Sequence, residues 1–298
     1  MPASETLWNA ATAHEWNQAT SAVQQQTQQS AEEIFQTLFD PSRAAPSKIG
    51  PFGCHVVILH ILQKVFFLSR SFPGFYSRNS ECRQHFFQAL KRWQTMWESE
   101  PDASMFPDEP SNPILFNCTA ICRLTYVRLA ADFCDVRRSF SYFLSEDQIV
   151  ANIESAHAPL RTQQITEAAL QACQALHVPA QLGFRLVSRT RFWGWSVQHA
   201  LSYFECALLL SKWLQVIERV GDISQDEMNV VDTVQRMLHA SSSQIVSKHS
   251  QYPNSVTILH RLAELIDTGE TTVWNIVPKM ARVLRAYAEK LSDSMDEG

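Results

Sequence analysis

The closest approach to reaction chemistry in this chain is the pair Asp132-Phe-Cys-Asp135. Two carboxylates three positions apart can share one helical face. At the end of a helix, such a pair is what helical enzymes of prenyl diphosphates use to hold magnesium. Those enzymes keep a third acidic residue nearby and a second metal motif downstream. Here Arg137 and Arg138 follow at once, and no second motif is found. A solvated helix end with carboxylates beside arginines accounts for the same residues.

The remaining candidates are thinner. Seven cysteines stand at 54, 82, 118, 122, 134, 173 and 206, an odd number with no Cys-x-x-Cys. Cys118 and Cys122 lie one helical turn apart, but no second His or Cys pair follows at zinc-finger spacing. Small buried thiols in a reducing compartment explain them. His55 and His60 are five apart, and His199 and Glu205 six apart, both poor spacings for a shared ligand face. His-Glu-x-x-His, Gly-x-Ser-x-Gly and the phosphate-binding Gly-x-x-x-x-Gly-Lys-Ser/Thr are all missing. Arg185, Arg189 and Arg191 cluster beside Trp193 and Trp195. They could meet phosphate or an acidic partner, but arginine stems covering a helix entrance explain them too. The many aromatic residues, Trp93, Trp97, Trp193, Trp195, Trp213 and Trp274 among them, are core material that could also line a ligand pocket. No catalytic, cofactor-binding or metal-ligating residue is assigned, and DNA-binding residues stay unknown.

The elements that would position these residues are helices. Only 8 glycines occur in 298 residues, with 45% hydrophobic residues, which argues against a turn-rich all-β fold. A chain of this length can bury about three quarters of its unfolded surface without a metal or disulfide. The net charge of −5 makes the whole a poor non-specific nucleic-acid binder. The start, Met-Pro-Ala-Ser-Glu, lacks the basic and apolar regions of a secretory signal. The most apolar run, Cys54 to Leu68, falls short of the ~20 residues a membrane span needs. It reads as a buried helix, with a strand as the minor alternative for Val56-Val57-Ile58.

Arg191 to Val220 is apolar around most of its circumference, with Gln198, Ser202, Glu205, Lys212, Gln215 and Arg219 on one narrow stripe. Such a helix sits in the middle of a helical protein. Periodicity also predicts helices from about 78 to 98, from about 114 to 134, and around 165–176. Ser145 with Gln148 and Ser224 with Glu227 form capping boxes that start two more. Leu259, Leu262 and Leu265 mark a short helix closed near Gly269. The last carries Val273, Ile276, Met280, Val283, Tyr287 and Leu291 on one side. Lys279, Arg282, Arg285 and Lys290 lie mainly on its other side, and Pro278 must kink this helix or mark its start.

Residues 1–50 read as a peripheral segment, with Leu7, Trp8 and Trp16 as isolated anchors. A glutamine-rich run at 24–29 follows, then a short amphipathic piece with Ile34, Phe35, Leu38 and Phe39. Pro41, Pro46 and Pro51 break the pattern there, and Pro101, Pro107, Pro110 and Pro113 mark an exposed loop later. Residues 51–298 read as one helical domain. The expectation is all-α: a single irregular bundle of about nine or ten helices around a buried central helix, about 191–220.

Four stretches in order resemble the fungal-specific transcription factor domain, the helical regulatory region downstream of zinc-finger or zinc-binuclear-cluster modules. They are SETLWNAATAHEW (4–16), GPFGCHVVILHILQKVFFL (50–68), the central segment with WSVQHAL (195–201) and LLLSKWL (208–214), and VWNIVPKMARVLRAYAEKL (273–291). The resemblance implies RNA polymerase II-type transcription regulation in the nucleus, though Lys91-Arg92 is too short for an import signal. It implies protein partners or self-association, with a small-molecule effector as a further option, and no membrane. It transfers no catalytic residue, so the chain is read as a non-enzyme.

DNA binding and zinc are implied only by the resemblance. The cysteine spacing forms no zinc module, so no cofactor is expected within these residues and DNA is reached indirectly. The first stretch resembles the family's second half, which implies a fragment, a shortened product or a member without its DNA reader. Two other readings stay open. One is a helical enzyme with an aromatic pocket acting on prenyl diphosphates, resting on Asp132 and Asp135. The other is a general helical scaffold.

Overall fold

The computed structural model describes residues 7, 9–23, 29–44, 49–78, 80–105, 112–182, 197–240, 252–267 and 274–296. Every regular element among them is a helix. In order they are α1 (Ala13–Val23), α2 (Ala31–Phe39), α3 (Gly50–Ser71), α4 (Glu81–Glu98), α5 (Pro113–Ala130) and α6 (Cys134–Ser141). Then come α7 (Glu146–Ser155), α8 (Gln163–Leu182), α9 (Val197–Glu218), α10 (Gln225–Ala240), α11 (Asn254–Ile266) and α12 (Ile276–Asp296).

The all-α class agrees with the sequence, and the count of twelve described helices exceeds nine or ten for two local reasons. α1 has too few apolar residues to announce itself, and Trp16, expected as an anchor, is half exposed. The helix expected over 114–134 is really two. Ala131 is extended, and Asp132 Oδ1 accepts the Cys134 N–H at 2.9 Å, so a new helix starts there. The strand alternative at Val56–Ile58 is overturned, because those residues lie inside α3.

Local chemistry sets the helix ends. The capping boxes at Ser145/Gln148 and Ser224/Glu227 both form, and a third joins Ser30 to Glu33. Pro278 lies in the first turn of α12, where its missing N–H costs nothing, so it marks a start and makes no kink. Gly50 opens α3 at φ +74, a conformation that favours glycine, and its N–H donates to Glu100 Oε1 at 3.0 Å.

α9 is the axis of the bundle. Every residue from Ser202 to Leu214 is buried, and the helix packs on α5, α8 and α11. α5 is a second interior helix, buried continuously from Cys118 to Val127. Two tryptophan N–H donors tie α4 to its neighbours, one to α3 and one to α5. Trp93 Nε1 on α4 donates to the Cys54 carbonyl of α3, and Trp97 Nε1 to the Leu115 carbonyl of α5. Ile34 and Leu38 of α2 belong to the same apolar core. On α12, Met280, Val283, Tyr287 and Leu291 face inward. Three of its cations reach α7 and the turn before it, Lys279 to the Leu144 carbonyl, Arg282 to Glu146 and Lys290 to Glu154, while Arg285 pairs with Asp267 after α11.

α3 runs for 22 residues, longer than its apolar core of 54–68, because Gly50–Gly53 and Ser69–Ser71 extend it. Both α3 and α9 have the length and apolar composition of a membrane-crossing helix. α9 lies inside the bundle. α3 buries one face only, through Cys54, Val57, Ile58, Ile61 and Val65.

Candidate functional site

The carboxylates singled out by spacing serve structure. Asp132 starts α6, and Asp135 is 77% exposed, 3.6 Å from Arg138 in an i,i+3 pair. Among the described residues no group of three or more His, Cys, Asp or Glu is placed to hold a metal. Cys118 and Cys122 are buried on α5, and Cys118 Sγ lies 3.7 Å from His55 Nδ1. Burial pushes the thiols of Cys54, Cys122, Cys173 and Cys206 up to about 12, which keeps them protonated and inert. His60 meets Phe35 edge-on, and His199 stacks on Phe116 at 4.7 Å. His199 and Glu205 turn to different partners, as their spacing requires.

The cluster of Arg185, Arg189, Arg191, Trp193 and Trp195, with Gly194, lies outside the described residues. So do Trp8, Gln24–Gln28, Pro46, Pro107, Pro110, Gly269 and Val273.

The polar stripe turns inward along the middle of α9, while Arg219 at its end is exposed. Ser202, Glu205 and Lys212 are all buried, and each position is filled by a specific partner. Glu205 accepts from Arg128 Nε at 3.2 Å and Nη2 at 2.8 Å, and from Arg137 Nη1 at 3.1 Å. One carboxylate therefore ties α9 to α5 and α6 through three charge-assisted bonds. Arg137 turns inward to this knot, while Arg138 alone stays with the aspartates at the surface.

Lys212 Nζ donates to the Ala156 carbonyl at 2.7 Å and the Glu154 carbonyl at 3.3 Å, at the negative end of α7. Burial draws its pKa below the usual lysine range. Glu218 takes the Ser255 N–H at 3.1 Å and hydroxyl at 2.6 Å, covering the start of α11, whose N-cap Pro253 has no side-chain acceptor. A fourth charged group, Arg123 on α5, is only 5% exposed, and its Nε and Nη2 meet no acceptor among the described residues. Spacing could not have revealed these ties, since their partners lie 37 to 77 positions apart.

The outward face of α3 exposes apolar side chains, with Gln63 and Lys64 exposed among them. Phe52, Leu59 and Phe66, seven apart, share a stripe with Phe67 and lead to Phe72; all five are exposed. Arg70 lies 5.2 Å over the Phe66 ring. Several large exposed apolar side chains gathered on one helix are typical of interaction faces. The structure thus offers interior ion pairing that holds a bundle together, and an apolar outer face.

The family model of the fungal transcription factor C-terminal domain matches residues 136–286, from α6 into α12, just over half of the 298 residues. No curated protein matches the chain, and no solved structure does. The matched span contains the whole of the central helix α9 and the Arg137–Glu205 arm of its polar knot. The chain belongs to the fungal transcription factor C-terminal domain family.

Proposed function

We propose that this chain is the regulatory and interaction module of a fungal transcription regulator of the RNA polymerase II type, acting in the nucleus. The observation that carries the reading is the family match across the bundle's central helix. Transcription regulation follows from that family. The finer points are proposed: residues 51–298 form the regulatory domain, and protein partners or a second copy dock on it. The exposed apolar face of α3 supports such docking. DNA is reached through a zinc-dependent module outside these residues, in the same longer polypeptide or in a partner. The net charge of −5 and the cysteine spacing support that division.

Catalysis has no part in this reading. Asp132 and Asp135, the support for a prenyl-diphosphate enzyme, are taken up by a helix start and a surface ion pair. A gel-shift titration of residues 1–298 tests the division of labour. The expected result is weak binding that falls steeply with salt and ignores sequence. Tight, sequence-specific complexes formed by this chain alone would overturn it.

A further inference from the structure

Arg123 stands apart among the arginines of the interior. Arg128 grips both oxygens of Glu205 through Nε and Nη2. Arg161 grips both oxygens of Glu227 through the same two nitrogens, at 2.8 and 2.5 Å. In each case the side-on edge of the guanidinium forms a fork that matches a carboxylate. Arg123 presents the same Nε–Nη2 edge within the bundle, yet among the described residues no acceptor meets it. A guanidinium does not lose its proton in proteins, so this charge persists. A buried cation without a counter-charge is strongly disfavoured.

The surroundings define what would complete it. Arg123 lies on α5 two turns after Phe116, on the same helical face, and Phe116 stacks on His199 of α9. His199 is close enough to feel the Arg123 charge. Burial first, and that charge second, push its pKa down to about 3, so the imidazole is neutral and adds no second cation. The neighbouring thiols of Cys122 and Cys206 are protonated for the same reason of burial. Glu205, the buried carboxylate of α9, is committed elsewhere, to Arg128 and Arg137. One positive charge, a two-pronged donor edge and an aromatic and thiol wall remain.

We propose that Arg123 is the anchor of an internal binding site for a small monocarboxylate, whose two oxygens take the Nε–Nη2 edge between α5 and α9. The apolar wall favours a carboxylate with a hydrocarbon body over a hydrated inorganic anion. A ligand held there bridges the two interior helices of the bundle. Its meaning as an effector site rests on the regulatory reading above; the binding itself does not.

The test uses the whole chain, thermal melts, and benzoate and acetate as probes against sodium chloride of equal ionic strength. At a hundredfold excess over Kd the melting temperature rises by about 4 °C with the carboxylate. Arg123→Met removes that rise, while the ligand-free variant melts no lower than the parent because an unmatched charge has gone. No rise for the parent, or an undiminished rise for Arg123→Met, overturns the site. A larger rise with inorganic phosphate than with either carboxylate overturns the ligand class. Should Arg123→Met fail to fold, Arg123→Lys keeps the charge and loses the fork; a full benzoate response from it overturns the proposal equally. These melts contain no DNA or transcription machinery, so their failure leaves the regulatory reading untouched, and a failed reporter assay leaves the binding result standing.

Discussion

Replacing Glu205 by alanine removes the acceptor of three charge-assisted hydrogen bonds at once. It leaves the guanidinium groups of Arg128 and Arg137 without their counter-charge at 17% and 24% exposure, too little water to replace it fully. Removing one partner of a buried ion pair costs roughly 3–5 kcal/mol. With an unfolding entropy of about 2.1 cal/mol/K per residue, ~4 kcal/mol in a chain of this length lowers the melting temperature by about 6 °C. Arg137→Ala alone costs less, about 1.5–3 kcal/mol, because the Arg128 fork survives. The double variant should fall short of the sum of the singles by about 1–3 kcal/mol, the signature of groups acting as one unit. Circular dichroism melts and urea titrations of the four proteins measure all of this. A Glu205→Ala midpoint within about 1 °C of the parent, or strict additivity, would refute the claim that this carboxylate fastens α9 to α5 and α6.

Leu208 is fully buried on α9, and Leu208→Asp places a carboxylate with no counter-charge there, so it should abolish the cooperative melt; a native-like transition would refute the placement. Glu227 is held down to about 2, chiefly by Arg161, whereas an unfolded glutamate titrates near ~4.3. Its contribution is therefore complete above the unfolded value and fades as pH falls toward the folded one. The stability gap between parent and Arg161→Ala should be constant near neutral pH and close as pH approaches about 2, read from urea titrations across the acid range. Cys82 and Cys134 are partly exposed while Cys54, Cys118, Cys122, Cys173 and Cys206 are buried. A thiol reagent should label the first two in the native protein and the other five only after denaturation; fast native labelling of Cys206 would contradict the core.

The parts of this fold legible in the sequence are those set by neighbours in the chain. The capping boxes at Ser145 and Ser224 form as their spacing demands, and the apolar circumference of 197–218 marks the axis of the bundle. What periodicity does not supply is the partners of the polar residues on that axis. Ser202, Glu205 and Lys212 form one stripe on a helical wheel, which records angle and not what stands opposite. The partners of Glu205 and Lys212 come from 56 to 77 residues away, a distance local pattern cannot span. The same blindness hid the face of α3, whose apolar residues all look alike until packing divides Val57 and Ile61 from Phe52 and Phe66. Arg123 gave no signal at all, since a lone arginine in an apolar helix reads as a snorkelling cation until its burial is seen.

On the proposed function, this bundle regulates transcription without reading DNA itself. Residues 1–298 fused to an unrelated sequence-specific DNA-binding domain, and placed upstream of a reporter gene in a fungal cell, test it directly. The expected result is a change in reporter transcription that depends on the tethering site and disappears with Leu208→Asp. Reporter output equal to that of the unfused DNA-binding domain, with the fusion intact and nuclear, would contradict it.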